Sequence, residues 1–82
     1  MYYVYLLECA DKSIYTGITN DLQKRLESHV SGNGARYTRA KKAVRMVYSE
    51  EHADRSAATK REAEIKRWPR QKKLALIKSR TR

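Results

Sequence analysis

Arg25 and His29 stand four residues apart in a segment, Leu22 to Val30, whose apolar residues Leu22, Leu26 and Val30 recur at helical spacing. Both side chains therefore share one helix face, and Leu22, three residues before Arg25, sets that face beside the buried stripe. A guanidinium offers a fixed fork for phosphate oxygens, and an imidazole can carry a proton near neutral pH. Together at the edge of a core they suit phosphate chemistry. The plainer alternative is a solvent-edge arginine and a satisfied histidine. A second signal comes from Ala58, Glu62 and Ile65, spaced i, i+4, i+7, with Trp68 at i+10. That spacing puts Glu62 in an apolar stripe, whereas Glu64 points the other way into solvent. An inward carboxylate needs an arginine, a hydrogen-bond donor or a divalent cation. An ion pair with Arg25 and a metal-ligand role both stay open.

The elements that must position these residues follow from the pattern along the chain. Tyr2 to Leu7 is rich in β-formers and apolar on both alternating faces, as in a central strand. Turn chemistry over Ala10 to Ser13 leads into a second strand, Ser13 to Thr19, so a hairpin is expected. Asn20 or Asp21 caps the first helix, which Gly32 and Gly34 stop. Ala43 to Ser49 alternates Val44, Met46 and Tyr48 on one face and predicts a third strand. Asp54 caps a helix from about Arg55 to Trp68, which Pro69 interrupts, and a last short helix carries Leu74, Leu76 and Ile77. The order β-β-α-β-α-α predicts an α+β fold, a three-stranded antiparallel sheet flanked by helices, as one domain over residues 1–82. Trp68 and the remaining tyrosines read as core, Cys9 as a packed strand residue and His52 as surface.

Charge narrows the partner. Nineteen Lys and Arg against nine Asp and Glu give a net charge of +10. Such an excess is self-repelling and points to a polyanion, nucleic acid first. The distribution is uneven: residues 1–30 carry a net −1, residues 31–49 five basic and no acidic side chains, and residues 60–82 ten basic against two acidic. A near-neutral first third would thus sit within a positive field supplied by two later segments. The single cysteine cannot form an internal disulfide, no Cys/His cluster has zinc-like spacing, and the apolar start is too short to span a bilayer. A cytoplasmic protein without membrane partners is expected.

Tyr3-Val4-Tyr5 on a strand, followed by Tyr15-Thr16-Gly17, resembles the paired motif that names the GIY-YIG nuclease superfamily. The two motif tyrosines, Tyr5 and Tyr15, are ten residues apart, and Arg25 and His29 follow Tyr15 by ten and fourteen. The run Gly17 to Leu22 with Arg25 downstream, and Glu62 within Arg61 to Lys66, are similar to further parts of the family pattern. The resemblance spans essentially the whole chain. It is nearest to the small stand-alone bacterial members, of which the stretch Gly32 to Thr38 is typical. Tyr3 stands where the family name has Gly, Thr16 replaces its Ile, and no obvious Asn follows the last helix.

The resemblance implies metal-dependent hydrolysis of a DNA phosphodiester. By position, Tyr5 and Tyr15 would line the site, one of them positioning or deprotonating the attacking water. Arg25 would stabilise charge on the phosphate, His29 would assist proton transfer, and Glu62 would ligate Mg²⁺ or another divalent cation such as Mn²⁺. Arg36, Tyr37, Arg39, Lys41, Lys42, Lys66, Arg67 and Arg70 are the residues expected on nucleic acid, with Tyr37 able to stack on a base. Affinity dominated by phosphate contacts would be largely independent of sequence. A non-catalytic DNA- or RNA-binding module that keeps the nuclease fold is the alternative. Nothing in the pattern fixes the oligomeric state.

Overall fold

Three antiparallel strands form one sheet in the order β2-β1-β3, with the largely apolar first strand in the middle. In the computed structural model, which describes residues 1–30 and 42–80, β1 is Tyr2–Cys9, β2 is Ile14–Thr19 and β3 is Ala43–His52. Three helices follow the expected order: α1, Leu22–Val30; α2, Arg55–Lys66; and α3, Arg70–Arg80.

Local chemistry sets the boundaries. In the hairpin turn the Asp11 carboxylate accepts from the backbone N–H and the hydroxyl of Ser13, and Lys12 takes the left-handed conformation at φ 72°. Asp21 opens α1 by accepting the Lys24 N–H at 3.0 Å, and Asp54 opens α2 by accepting the Ala57 N–H at 2.8 Å. α2 ends two residues short of the expected Trp68. Pro69 separates it from α3, whose first turn hangs on the Pro69 carbonyl through the N–H groups of Lys72 and Lys73.

Side chains alternate across the sheet, so β1 serves two layers. Val4 and Leu6 face α2 and α3, in a core with Tyr48, Ala58 and Ile65 onto which Ile14, Ile18, Val47, Trp68, Leu76 and Ile77 pack. Tyr5 and Leu7 are buried on the other face. Cys9 is buried as expected, and Trp68 is flanked by the cations of Arg61 and Lys72, at 5.1 and 4.4 Å from the ring centre.

The third strand departs from expectation in two ways. Leu6 opposes Tyr48 while Leu7 opposes Met46, leaving Val47 as an extra residue. This bulge turns Met46 and Tyr48 to opposite faces, which breaks the uniform alternation expected from Val44 to Tyr48. The strand also continues past Ser49 to His52, pairing Glu50, Glu51 and His52 with the start of β1. His52 is therefore not a surface residue. It is half-buried, with Nε2 at 2.6 Å from Glu50, and Glu50 also accepts from the Tyr48 hydroxyl at 2.6 Å and from Arg61 Nε at 3.0 Å. A carboxylate wanted by three donors is a sufficient reason for these polar residues to stay in the sheet. Arg61 reaches on to Glu64 at 2.8 Å, so the network ties α2 to the edge of β3.

Candidate active site

Tyr5 of β1 lies directly opposite Gly17 of β2. A β-carbon on Gly17 would stand 2.5 Å from the Tyr5 hydroxyl oxygen, 2.7 Å from its ring carbon Cζ and 3.1 Å from Tyr15 Cε2. The missing side chain is what lets both motif tyrosines fold down over the strand. From there the Tyr5 hydroxyl reaches His29 Nε2 at 2.9 Å, deep in the protein, with both residues 2% exposed. Tyr15 completes the cluster, its ring centre 6.3 Å from that of Tyr5 and 5.3 Å from that of His29, all at tilted angles. Two strands and one helix thus bring Tyr5, Tyr15 and His29 together.

Electrostatics assigns protonation states to the pair. Burial pushes the Tyr5 phenol well above its ordinary range, Tyr15 and Glu62 push it further, and Arg25 pulls against them. Burial, and then the charge of Arg25, hold His29 below its ordinary value. A protonated phenol therefore meets a neutral imidazole. In the tautomer that carries its proton on Nδ1, Nε2 accepts the Tyr5 hydroxyl proton.

Arg25 and Glu62 flank this cluster, and the charge of each is felt at the Tyr5 hydroxyl. Arg25 is exposed, one helical turn before His29, on the wall of a polar cleft of about 240 Å³ that Thr19, Asp21, Lys24 and Ser28 also line. Lys24, Ser28 and Thr19 were not among the residues singled out in the sequence. Ser28 was legible in principle, since Asp21, Arg25 and Ser28 share a helix face by spacing. Glu62 is 20% exposed on its side chain and Glu64 52%, in line with their expected faces. The ion pair of Glu62 is with Lys66 Nζ at 3.4 Å, one turn on, and not with Arg25.

The expected nucleic-acid residues divide. Arg36, Tyr37, Arg39 and Lys41 lie outside the described residues, as do the helix-stopping Gly32 and Gly34. Lys42 is exposed at the entry to β3, and Lys66 and Arg67 are exposed at the end of α2. Arg70 lies elsewhere: its Nη1 donates to the Lys12 carbonyl in the hairpin turn at 2.6 Å. Among the described residues no group of three or more His, Cys, Asp and Glu could cage a metal ion, and no helix is long and apolar enough to cross a membrane.

The chain is similar to known proteins along nearly its whole length. The profile of the GIY-YIG catalytic domain matches residues 1–75. A UPF0213 protein of Streptococcus sanguinis (strain SK36) is 53% identical over 79 residues, which cover 96% of this chain and 91% of that protein. A UPF0213 protein of Staphylococcus aureus (strain Mu3) is 48% identical over 79 residues, covering 96% of each. The solution NMR structure of a UPF0213 protein from Bacillus halodurans superposes with a TM-score of 0.62 at 41% identity, over 98% of this chain and 86% of that one.

Proposed function

The chain belongs to the GIY-YIG catalytic-domain family, a nuclease family, and from that premise we propose that it is a metal-dependent endonuclease hydrolysing phosphodiester bonds in DNA. The observation that supports the reading is the buried cluster of Tyr5, Tyr15 and His29, from two strands and one helix, within electrostatic reach of Arg25 and Glu62. Tyr5 is bonded to His29 and packed against Tyr15, and it senses both Arg25 and Glu62.

The donor chemistry of Glu62 fits a magnesium ion. Mg²⁺ keeps several waters and is commonly held by one or two carboxylates together with substrate phosphates, so a lone half-buried glutamate beside the site is a suitable anchor. Its present partner, Lys66, is half-exposed and loosely paired at 3.4 Å. When bound, the ion would supply Lewis-acid polarisation of the phosphate and of the leaving oxygen.

The protein's own groups do the rest. Arg25, on the wall of its polar cleft, binds the phosphate and stabilises the charge that grows on it during attack. Tyr5 and His29 move the proton: Tyr5 gives its hydroxyl proton to Nε2 as it takes one from the attacking water. A relay of this kind never requires a free phenolate, which burial of Tyr5 strongly disfavours. Tyr15 holds the two rings in place by packing against both.

A cleavage assay over duplex, nicked, branched and single-stranded DNA and RNA, each with Mg²⁺, with Mn²⁺ and with chelator, tests this reading. Metal-dependent cleavage of at least one DNA form is expected. Binding without cleavage of any form would support the non-catalytic module instead.

A further inference from the structure

The most basic part of the chain does not share a side of the sheet with Tyr5 and His29. Leu76 and Ile77 seat α3 on the Val4–Leu6 face, while Tyr5 projects from the opposite one. α3, Arg70–Arg80, holds five Lys and Arg and no acidic residue. At the start of α3, Arg70 binds the carbonyl of Lys12, a left-handed turn residue, so two cations are drawn together through a neutral acceptor. Arg45 of β3 joins them, with Nε at 2.9 Å from Glu8, its opposed partner on β1. The Glu8 carboxyl is held below its ordinary range first by that hydrogen bond and then by the charges of Arg45, Lys12 and Arg70. Arg45 and Lys78 also border a groove of about 510 Å³ between β3 and α3, floored by Met46, Val47, Leu74 and Ile77. Among the described residues, Lys12, Arg70 and Lys78 have no carboxylate partner within ion-pair distance.

We propose that Lys12, Arg45, Arg70 and Lys78 form a second surface for the phosphate backbone of nucleic acid, on the side of the sheet away from Tyr5 and His29, so that one domain holds two separate nucleic-acid segments. The single carboxylate of Glu8 faces three cations brought from a turn, a strand and a helix, and the positive charge left over favours a further anion at this place. Arginine forks and a lysine ammonium are the groups that bind phosphate oxygens. The groove floor is aliphatic and holds no ring on which a base could stack, so recognition there is by backbone and independent of sequence. A straight duplex lying on the Tyr5 side cannot place phosphates on both faces of the sheet. The segment held here is therefore a second arm of one branched or bent molecule, or another molecule. The proposal requires a nucleic-acid partner but not cleavage.

The test is a calorimetric titration of the full chain, in chelator, with DNA duplexes about one helical turn long. Two duplexes per protein are expected for the parent and one for K12E/K78E, which spares Arg70 and its bond to the turn. R55E/K60E makes the same change in charge on exposed positions of α2 and should still bind two. The milder K12A/K78A must move in the same direction as K12E/K78E, and thermal melts confirm that each variant is folded. The total salt dependence should fall by about two units when two phosphate contacts are lost. A parent that binds one duplex overturns the proposal, as does equal weakening by K12E/K78E and R55E/K60E, which would mean diffuse attraction. A polyglutamate peptide or a phosphatidylserine vesicle that binds the parent more tightly than duplex at equal salt, and is lost in K12E/K78E, would assign the surface to an acidic protein or a membrane. Because chelator excludes cleavage, failure here leaves the nuclease reading untouched.

Discussion

The Tyr5 hydroxyl occupies the space in which a β-carbon of Gly17 would stand, so the proton pair with His29 exists because its neighbour on β2 has no side chain. Gly17→Ala is accordingly more than a loss of flexibility. Tyr5 is almost fully buried and has no open space to retreat into. Overpacking of this kind costs about 1–3 kcal/mol. The melting temperature should fall by about 4–8 °C for each kcal/mol in a domain of this size. Combined with Tyr5→Leu, which deletes both colliding atoms, the hydroxyl oxygen and Cζ, the alanine should cost less than it does alone. A double-mutant cycle by thermal melts checks the coupling, and additive losses would contradict the close approach.

His29 should make the fold sensitive to mild acid. Its folded-state value lies below the ordinary 6.5, so the unfolded chain takes up a proton more readily than the folded one. Stability is therefore complete above the unfolded value and declines as pH falls through the window beneath it. Glu8 and Glu50 are also shifted downward from 4.5, so their contribution is lost only at lower pH. Denaturant unfolding between neutral pH and pH 5 should show a decline that His29→Asn flattens, whatever that variant does to absolute stability. An unchanged slope would remove the assignment of a neutral buried imidazole.

Much of this was legible in the sequence because local rules decided it. A short apolar run rich in Tyr and Val reads as a central strand, and Asp21, Asp54 and Pro69 mark helix boundaries by their own chemistry. The shared face of Arg25 and His29, and the opposed faces of Glu62 and Glu64, follow from helical spacing alone. What stayed hidden depends on partners distant in the chain. The bulge at Val47 is set by how β3 registers against Leu6 and Leu7. His52 is drawn in from the surface because Glu50 accepts from it, from Tyr48 and from Arg61, contacts that sequence spacing does not show. The positive charge of residues 60–82 could be counted, but a count carries no face, and α3 packs on the side away from Tyr5.

Thr16 offers a stabilising substitution. It opposes Leu6 in the core, is 3% exposed, and its Oγ1 has no hydrogen-bond partner among the described residues. An unsatisfied buried hydroxyl costs about 1–3 kcal/mol. Thr16→Val keeps the branched shape that a strand favours and removes the orphaned group. Urea unfolding should show a higher midpoint with an unchanged slope. A lower midpoint would mean that the hydroxyl has a partner.

The Glu50 network should hold α2 in place. Burial pushes the Glu50 carboxyl up, yet hydrogen bonds from Tyr48, His52 and Arg61 outweigh it and keep the group ionised. Glu50→Gln brings an amide N–H₂ against those donors and leaves Arg61 with less charge to face. A loss of about 1–3 kcal/mol is expected from the unmatched groups. The same substitution made in an Arg61→Met background should cost less, because one of the three donors is already gone. Equal costs in the two backgrounds would show that Arg61 and Glu50 are not energetically linked.

Glu62 and Arg25 should separate chemistry from binding. On the proposed reading, nineteen Lys and Arg would share the attraction to nucleic acid. Losing Arg25 should therefore lower the salt slope by about one unit at most. The chemical step is less forgiving, since removing one group that stabilises developing charge slows a reaction by roughly a hundred- to a thousand-fold. On the proposed metal-dependent reading, Glu62→Gln should lose at least as much, because an ion held there would lose its carboxylate while the fold keeps its shape. Glu64→Gln, two residues away on the exposed face and paired only with Arg61 among the described residues, should cleave like the parent. Initial rates and equilibrium binding for the three variants, with melts to exclude unfolding, decide the matter. Equal losses in Glu62→Gln and Glu64→Gln would show that the helix face does not select the carboxylate. Undiminished cleavage in Glu62→Gln would remove that residue from the reaction.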